Sequence, residues 1–201
     1  MQEKYINNSI KKYLDDLSAK LPAPGGGSAA ALVSATGVSC LLMVANFSIG
    51  KKGYEQYQDE LKKIVVELST FKCQLSTLID EDVKAYTNLS EAYKTKTTDK
   101  IQDALRNALA VPCKIFEISV EAIPLAERLS EIGNRNLISD VACGVSILRA
   151  GIESSKFNID INLKFITDAK FVKETKTKYE KMLKVAVENI ETIIKKTGEK
   201  Q

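Results

Sequence analysis

Histidine and tryptophan are absent from this 201-residue chain, and arginine occurs only four times. Without imidazole there are no zinc sites of the usual kind, no Ser-His or Cys-His nucleophile pairs, and no commonest general base. Acid–base chemistry is left to Asp, Glu, Lys, Tyr or Cys with a displaced pKa. Cysteine is also scarce. Cys40, Cys73, Cys113 and Cys143 lie far apart with no Cys-x-x-Cys, so they read as reduced, buried small hydrophobes, and no metal site is expected. No signal peptide opens the sequence, which agrees with a cytoplasmic protein. Neither sign of charge dominates: 29 basic and 26 acidic residues are interspersed. With no basic block and no aromatic platform, nucleic acid is not an expected partner. A hydrophobic content of 44% over this length supports one sizeable core, and residues 1–201 read as a single domain.

Against these absences stands one dense stretch, Pro22-Ala23-Pro24-Gly25-Gly26-Gly27-Ser28 followed by three alanines. The prolines stop a preceding helix and the glycines free the backbone to turn. Ser28 suits the N-cap of the next helix. The unpaired N–H groups of a first turn and bare glycine backbone would let an anionic or heterocyclic ligand approach closely. A tight helix–helix turn explains the same residues. Gly25 to Ala30 formally satisfies G-x-G-x-x-A, but a dinucleotide site needs a strand before it and an acid about 20 residues on. Here the upstream segment is helical and lysines stand at that distance. The Gly-Lys-Ser/Thr of a P-loop is missing.

Periodicity is helical nearly throughout. Ile6, Ile10, Tyr13, Leu14 and Leu17 form one stripe of a first helix. A second helix, Ser28 to Gly50, carries no charge. Its serines, threonine and asparagine point to a buried central helix of small residues rather than a membrane span. From Tyr54 to Tyr93, Tyr54, Leu61, Leu68, Leu75, Asp82 and Leu89 recur every seventh residue. Tyr57, Ile64, Phe71, Leu78, Ala85 and Ala92 follow three positions later, completing an a/d seam. An amphipathic run from Ile101 is expected to bend or break at Pro112 and Pro124. A turn at Gly133-Asn134 precedes a helix from Ser139 to Ala150, then a polar connection through Asn158 and Asn162. A long amphipathic helix bearing Tyr179, Met182, Leu183, Ala186, Ile190 and Ile193 closes the chain. The fold class is all-α, an up-and-down bundle of long antiparallel helices.

Several residues could carry chemistry. Asp82 interrupts the seam, where desolvation raises a carboxyl pKa unless a cation or N–H donors compensate; a seam position polar for helix register, or bonded to a neighbouring serine, is the plainer explanation. Lys51 and Lys52 either complement the dipole of the uncharged helix or reach over a site edge to bind an anion or pair with Asp82. Asn134, Ser139 and Asp140 read as a turn and cap. Asn158 and Asn162, four apart, could hydrogen-bond a polar heterocycle or each other.

Taken in order, these segments resemble the formimidoyltetrahydrofolate cyclodeaminase/methenyltetrahydrofolate cyclohydrolase family, which includes the C-terminal domain of formiminotransferase-cyclodeaminase. The likeness runs over Pro22–Ser28, Met43-Val44 to Tyr54, Asp82 to Tyr86, Pro112, Gly133-Asn134, Ser139-Asp140-Val141 and Asn158 to Asn162. It covers most of the chain. It implies a homodimeric helical enzyme with reduced folate, polyglutamylated or not, as substrate and no tightly bound cofactor. Asp82 would be the acid–base group and Lys52 would supply charge, with Lys51 meeting the glutamate tail. The Gly25–Ser28 backbone, Asn134, Ser139, Asp140, Asn158 and Asn162 would hold the pterin and neighbouring groups. With no formiminotransferase segment in the sequence, cyclohydrolase is the expected activity, cyclodeaminase the alternative, and a non-catalytic folate-binding scaffold the reading from another class. Family members often carry a Leu-Pro-Lys element after the long helix. Here Tyr93-Lys94-Thr95-Lys96-Thr97 is shorter and lacks it, so a loop at the substrate pocket is expected to differ.

Overall fold

A computed structural model of the chain describes residues 4–199. Its helices are α1 (Ile10–Ser18), α2 (Gly26–Asn46), α3 (Gln58–Thr95), α4 (Thr98–Ile132), α5 (Ile138–Leu163) and α6 (Ala169–Gly198), with short 3₁₀ turns before α1, α3 and α5 and no strand among the described residues. The all-α bundle read from periodicity is the observed architecture. α2 packs against α3 and α5, α4 closes the ring between those two, and α6 lies outside along α5 and α4.

The α3 seam forms in part as its spacing predicts: Leu61, Ile64, Leu68, Leu75 and Leu78 are buried, whereas Phe71, Ala85, Leu89 and Ala92 are half-covered and Tyr54 and Tyr57 lie before the helix in a 3₁₀ turn and its cap. α2 is long and apolar enough to cross a membrane by length and composition, yet its Ala30, Ala31, Val38, Leu41 and Val44 are buried in the bundle. Small residues let α2 approach α5 closely. A Cβ placed on Gly37 would lie 2.9 Å from the Gly144 carbonyl oxygen, and one on Gly151 would lie 2.1 Å from Ser34 Oγ.

Several expectations are corrected. α4 runs unbroken through both Pro112 and Pro124. A helix-interior proline costs about 3 kcal/mol, but Leu109, Ile115, Phe116, Ile123 and Leu129 are buried along the same helix, each contributing roughly 1.5–3 kcal/mol. Burial outweighs the missing backbone bonds. Asn158 and Asn162 lie inside α5, not in a connection. Each donates Nδ2–H to the carbonyl four residues back, Ser154 and Asn158 respectively, so the polar residues stay compatible with the helix. Leu137, not Ser139, occupies the N-cap of α5. α2 ends at Asn46 rather than Gly50, and α1 buries only Tyr13 of its stripe. Ile6, Ile10 and Leu14 are exposed. The cysteines are free but none is fully buried; Cys73 and Cys143 are exposed.

Candidate active site

Ser28 does not cap α2 with its side chain as expected. The helix begins earlier, with Gly25 as N-cap, and the acceptor comes from another helix: the Ser28 backbone N–H donates to Asp82 Oδ2 at 2.9 Å. The Ser28 hydroxyl, fully buried, instead accepts from Tyr13 Oη at 3.2 Å. The glycines allow this closeness. A Cβ on Gly27 would stand 2.1 Å from Asp82 Oδ1, whereas one on Gly26 would meet Asn158 at an ordinary 3.5 Å and one on Gly25 would meet nothing within 4 Å. Gly27 is therefore the glycine the site cannot replace.

Asp82 lies on the wall of a cavity of about 440 Å³, within the usual range for small-molecule sites of roughly 300–1,000 Å³. The Pro22–Gly27 loop forms one wall. Tyr86, Leu89 and Tyr93 of α3 continue from Asp82, Leu105 and Ala108 of α4 make the floor, and Asn158, Ile161 and Asn162 with Phe165 complete the enclosure. Burial raises the Asp82 carboxyl above its ordinary value, and the single Ser28 N–H bond opposes the shift without cancelling it. Among the described residues no lysine or arginine lines the cavity. It is an apolar, aromatic slot lined by one carboxyl group, two tyrosines and two amides, which suits a flat polar heterocycle. The aromatic walls were missed in the sequence. The signal for the tyrosines was the i, i+4, i+7, i+11 spacing of Asp82, Tyr86, Leu89 and Tyr93, which puts them on one face of α3. The connection after α3 is only Lys96-Thr97, with Lys96 left-handed at φ 55°, so the cavity rim beyond Tyr93 is short.

The other expected site residues are elsewhere. Lys51 donates to Asn134 Oδ1 and stands over the Tyr54 ring at 5.7 Å. The Asn134 backbone N–H is held by Ser48 Oγ at 2.8 Å. Lys52 is exposed beside them, and Ser139 and Asp140 lie in the first turn of α5 at the same end of the bundle. The 21 residues of α2 separate this cluster from Gly27 by about 30 Å at 1.5 Å per residue. Within one chain, neither lysine reaches the edge of the Asp82 cavity or pairs with the carboxylate.

Fold and cavity together define a class: an all-α helical bundle with one half-buried carboxyl group on the wall of an apolar cavity of small-molecule size. More specifically, the chain belongs to the formiminotransferase-cyclodeaminase family, whose model matches residues 9–181. It is 36% identical over 186 residues to a methenyltetrahydrofolate cyclohydrolase of Methylorubrum extorquens, covering 88% of this chain and 89% of that protein. It is 28% identical over 194 residues to the formimidoyltransferase-cyclodeaminase of Rattus norvegicus, but spans only 36% of that protein's length. The crystal structure of formiminotetrahydrofolate cyclodeaminase from Thermotoga maritima superposes with a TM-score of 0.86 at 30% identity, over 96% of each chain.

Proposed function

We propose that this protein is a methenyltetrahydrofolate cyclohydrolase acting as a homodimer, with Asp82 as its acid–base group. The carrying observation is the Asp82 carboxyl, alone in an apolar cavity that no lysine or arginine among the described residues lines. The methenyl carbon between folate N5 and N10 belongs to a cation, and that charge is what the cavity lacks. Water adds to this carbon and gives a proton to the Asp82 carboxylate. The tetrahedral adduct then collapses: its hydroxyl loses a proton as the C=O forms, the C–N5 bond breaks, and N5 takes the proton from Asp82. The products are 10-formyltetrahydrofolate and one net proton. Asn158 and Asn162 supply polar contacts for the pterin edge, and Tyr86, Tyr93 and Phe165 supply its faces.

The similarity to the Methylorubrum extorquens cyclohydrolase, which this chain matches over nearly the full length of both, favours hydrolysis. The Thermotoga maritima structure favours a second reading, cyclodeamination. There N10 attacks the carbon of the protonated formimidoyl group on N5, Asp82 carries the N10 proton to the resulting amine, and the C–N bond breaks so that ammonia leaves and the methenyl cation remains. One assay decides between them. Incubation with methenyltetrahydrofolate should speed the loss of its near-ultraviolet absorbance well beyond the spontaneous rate, while formimidoyltetrahydrofolate should give no matching rise. The reverse pattern would establish the deaminase, and neither change would leave a binding protein.

A further inference from the structure

Tyr13 is the only buried residue of α1, and it does not line the Asp82 cavity. The rest of the α1 stripe gives little hold on the bundle, since Ile10 and Leu14 are exposed. The N-terminal segment is tied down instead at two points that flank the Ser28–Asp82 hydrogen bond. On the α3 side, the Tyr5 backbone N–H donates to Asp80 Oδ1 at 2.6 Å, two residues before Asp82. The Tyr5 ring stands edge-on to the Tyr13 ring, with centroids 5.6 Å apart. On the α2 side, Tyr13 Oη donates to the fully buried Ser28 hydroxyl at 3.2 Å.

Ser28 thus meets two partners with two groups. Its backbone N–H donates to Asp82 Oδ2 at 2.9 Å, in a first turn so close to the carboxyl that Gly27 has no room for a Cβ. Its hydroxyl, which turns about the Cα–Cβ bond, is engaged by Tyr13 and not by Asp82. We infer that Tyr13 is a positioning residue for the reaction: its hydroxyl holds the Ser28 side chain turned toward α1, so that Asp82 keeps the Ser28 backbone N–H as its only donor. Released from Tyr13, the buried Ser28 hydroxyl needs another partner, and the Asp82 carboxylate is the acceptor beside it. A second donor favours the charged carboxylate and makes it a weaker base. A proton-exchanging group works best with its pKa near the operating pH, so Tyr13 acts in the same direction as burial, which raises Asp82. Burial also raises the Tyr13 hydroxyl above its ordinary 10.0, so it stays protonated and donates at neutral pH. The titratable groups around Asp82 are Tyr13 from α1 and Asp80, Tyr86 and Tyr93 from α3. α2, α4 and α5 line the cavity with uncharged residues. The inference rests on Asp82 as the acid–base group of the folate site.

Carbon-13 NMR of aspartate-labelled protein reads the Asp82 carboxyl directly, with Asp82→Asn assigning its signal. Tyr13→Phe keeps the ring and its contact with Tyr5 but removes the hydroxyl. The Asp82 titration midpoint should then fall by roughly 0.5 to 1 pH unit, the effect of one added hydrogen bond to the carboxylate. Adding Ser28→Ala removes the other partner of the pair and keeps the backbone N–H, so the midpoint should return to the parent's. Loosening of α1 alone would leave it displaced. An unmoved midpoint in Tyr13→Phe, a double variant whose midpoint does not return, or a Tyr13→Phe protein that fails to fold overturns the proposal. Turnover of methenyltetrahydrofolate by Tyr13→Phe is the second readout: kcat should fall a few-fold, as a weaker base implies, with KM unchanged. A parental kcat or a raised KM also counts against it. Parental kcat in Asp82→Asn strikes the reading of the site instead, and the NMR midpoints then still decide whether Tyr13 governs the carboxyl.

Discussion

Gly27→Ala isolates the geometry of the candidate site in a single methyl group. The added Cβ would lie 2.1 Å from Asp82 Oδ1 and 2.6 Å from Cγ, so the carboxyl group must retreat by about 1 Å or more to reach ordinary van der Waals separation. That retreat breaks the 2.9 Å bond from Ser28 N–H, and leaving a buried donor unpaired costs about 1–3 kcal/mol. Alanine returns up to about 1 kcal/mol over glycine within a helix, so net destabilisation should be small, about 0–2 kcal/mol. Catalysis is more exposed, because misplacing a reacting group by 1 Å can cost about 100-fold. Turnover of methenyltetrahydrofolate, followed by its absorbance, should fall by that order while the urea midpoint shifts little. Gly26→Ala is the internal control: its Cβ meets Asn158 at 3.5 Å, and turnover should stay within a few-fold of the parent. Parental turnover in a folded Gly27→Ala protein would refute the claim that this glycine sets the carboxyl position.

Leu75→Ala, at a fully buried position of the α3 seam, should cost about 2–5 kcal/mol in urea unfolding; an unchanged midpoint would remove the seam from the core. Asn158→Ala leaves α5 intact and should weaken folate binding several-fold with little change in melting temperature, measured by calorimetric titration. Burial raises Asp82 above the ordinary 3.8, so the folded state holds that proton more tightly than the unfolded chain does. The stability this confers is complete below the ordinary value and is lost as pH rises through the raised one. Unfolding free energies of parent and Asp82→Asn, compared across that window, should show the variant gaining on the parent as pH rises; a pH-independent difference would contradict the burial of the carboxyl.

The long seam was legible because heptad spacing states both the helix and its buried face, and Asp82 stood out as its one charged interruption. The glycine loop was legible as a close approach, but not the identity of its partner. That Ser28 would donate its backbone N–H to Asp82, 54 positions away, depends on how α2 crosses α3, which no local pattern encodes. Pro112 and Pro124 do not break the helix because proline reports a local backbone cost, while the buried residues flanking both prolines outweigh it. Asn158 and Asn162 misled because their polarity suggested a connection, whereas back-bonding to α5 carbonyls keeps them helical. Lys51, Asn134 and Asp140 were grouped with Asp82 through the family resemblance, while their own local patterns read only as a helix end, a turn and a cap; the length of α2 puts them at the far end of the bundle.

Asp82→Asn at saturating methenyltetrahydrofolate tests the central claim most directly. The amide keeps the shape of the side chain and an oxygen to accept from Ser28 N–H, but removes the titrating proton. A general acid–base group contributes about 100- to 10,000-fold, so kcat should fall at least by the lower figure while folate still binds and the melting temperature holds or rises. A kcat equal to the parent's, in a variant that binds folate normally, would contradict the account and return Asp82 to a structural role.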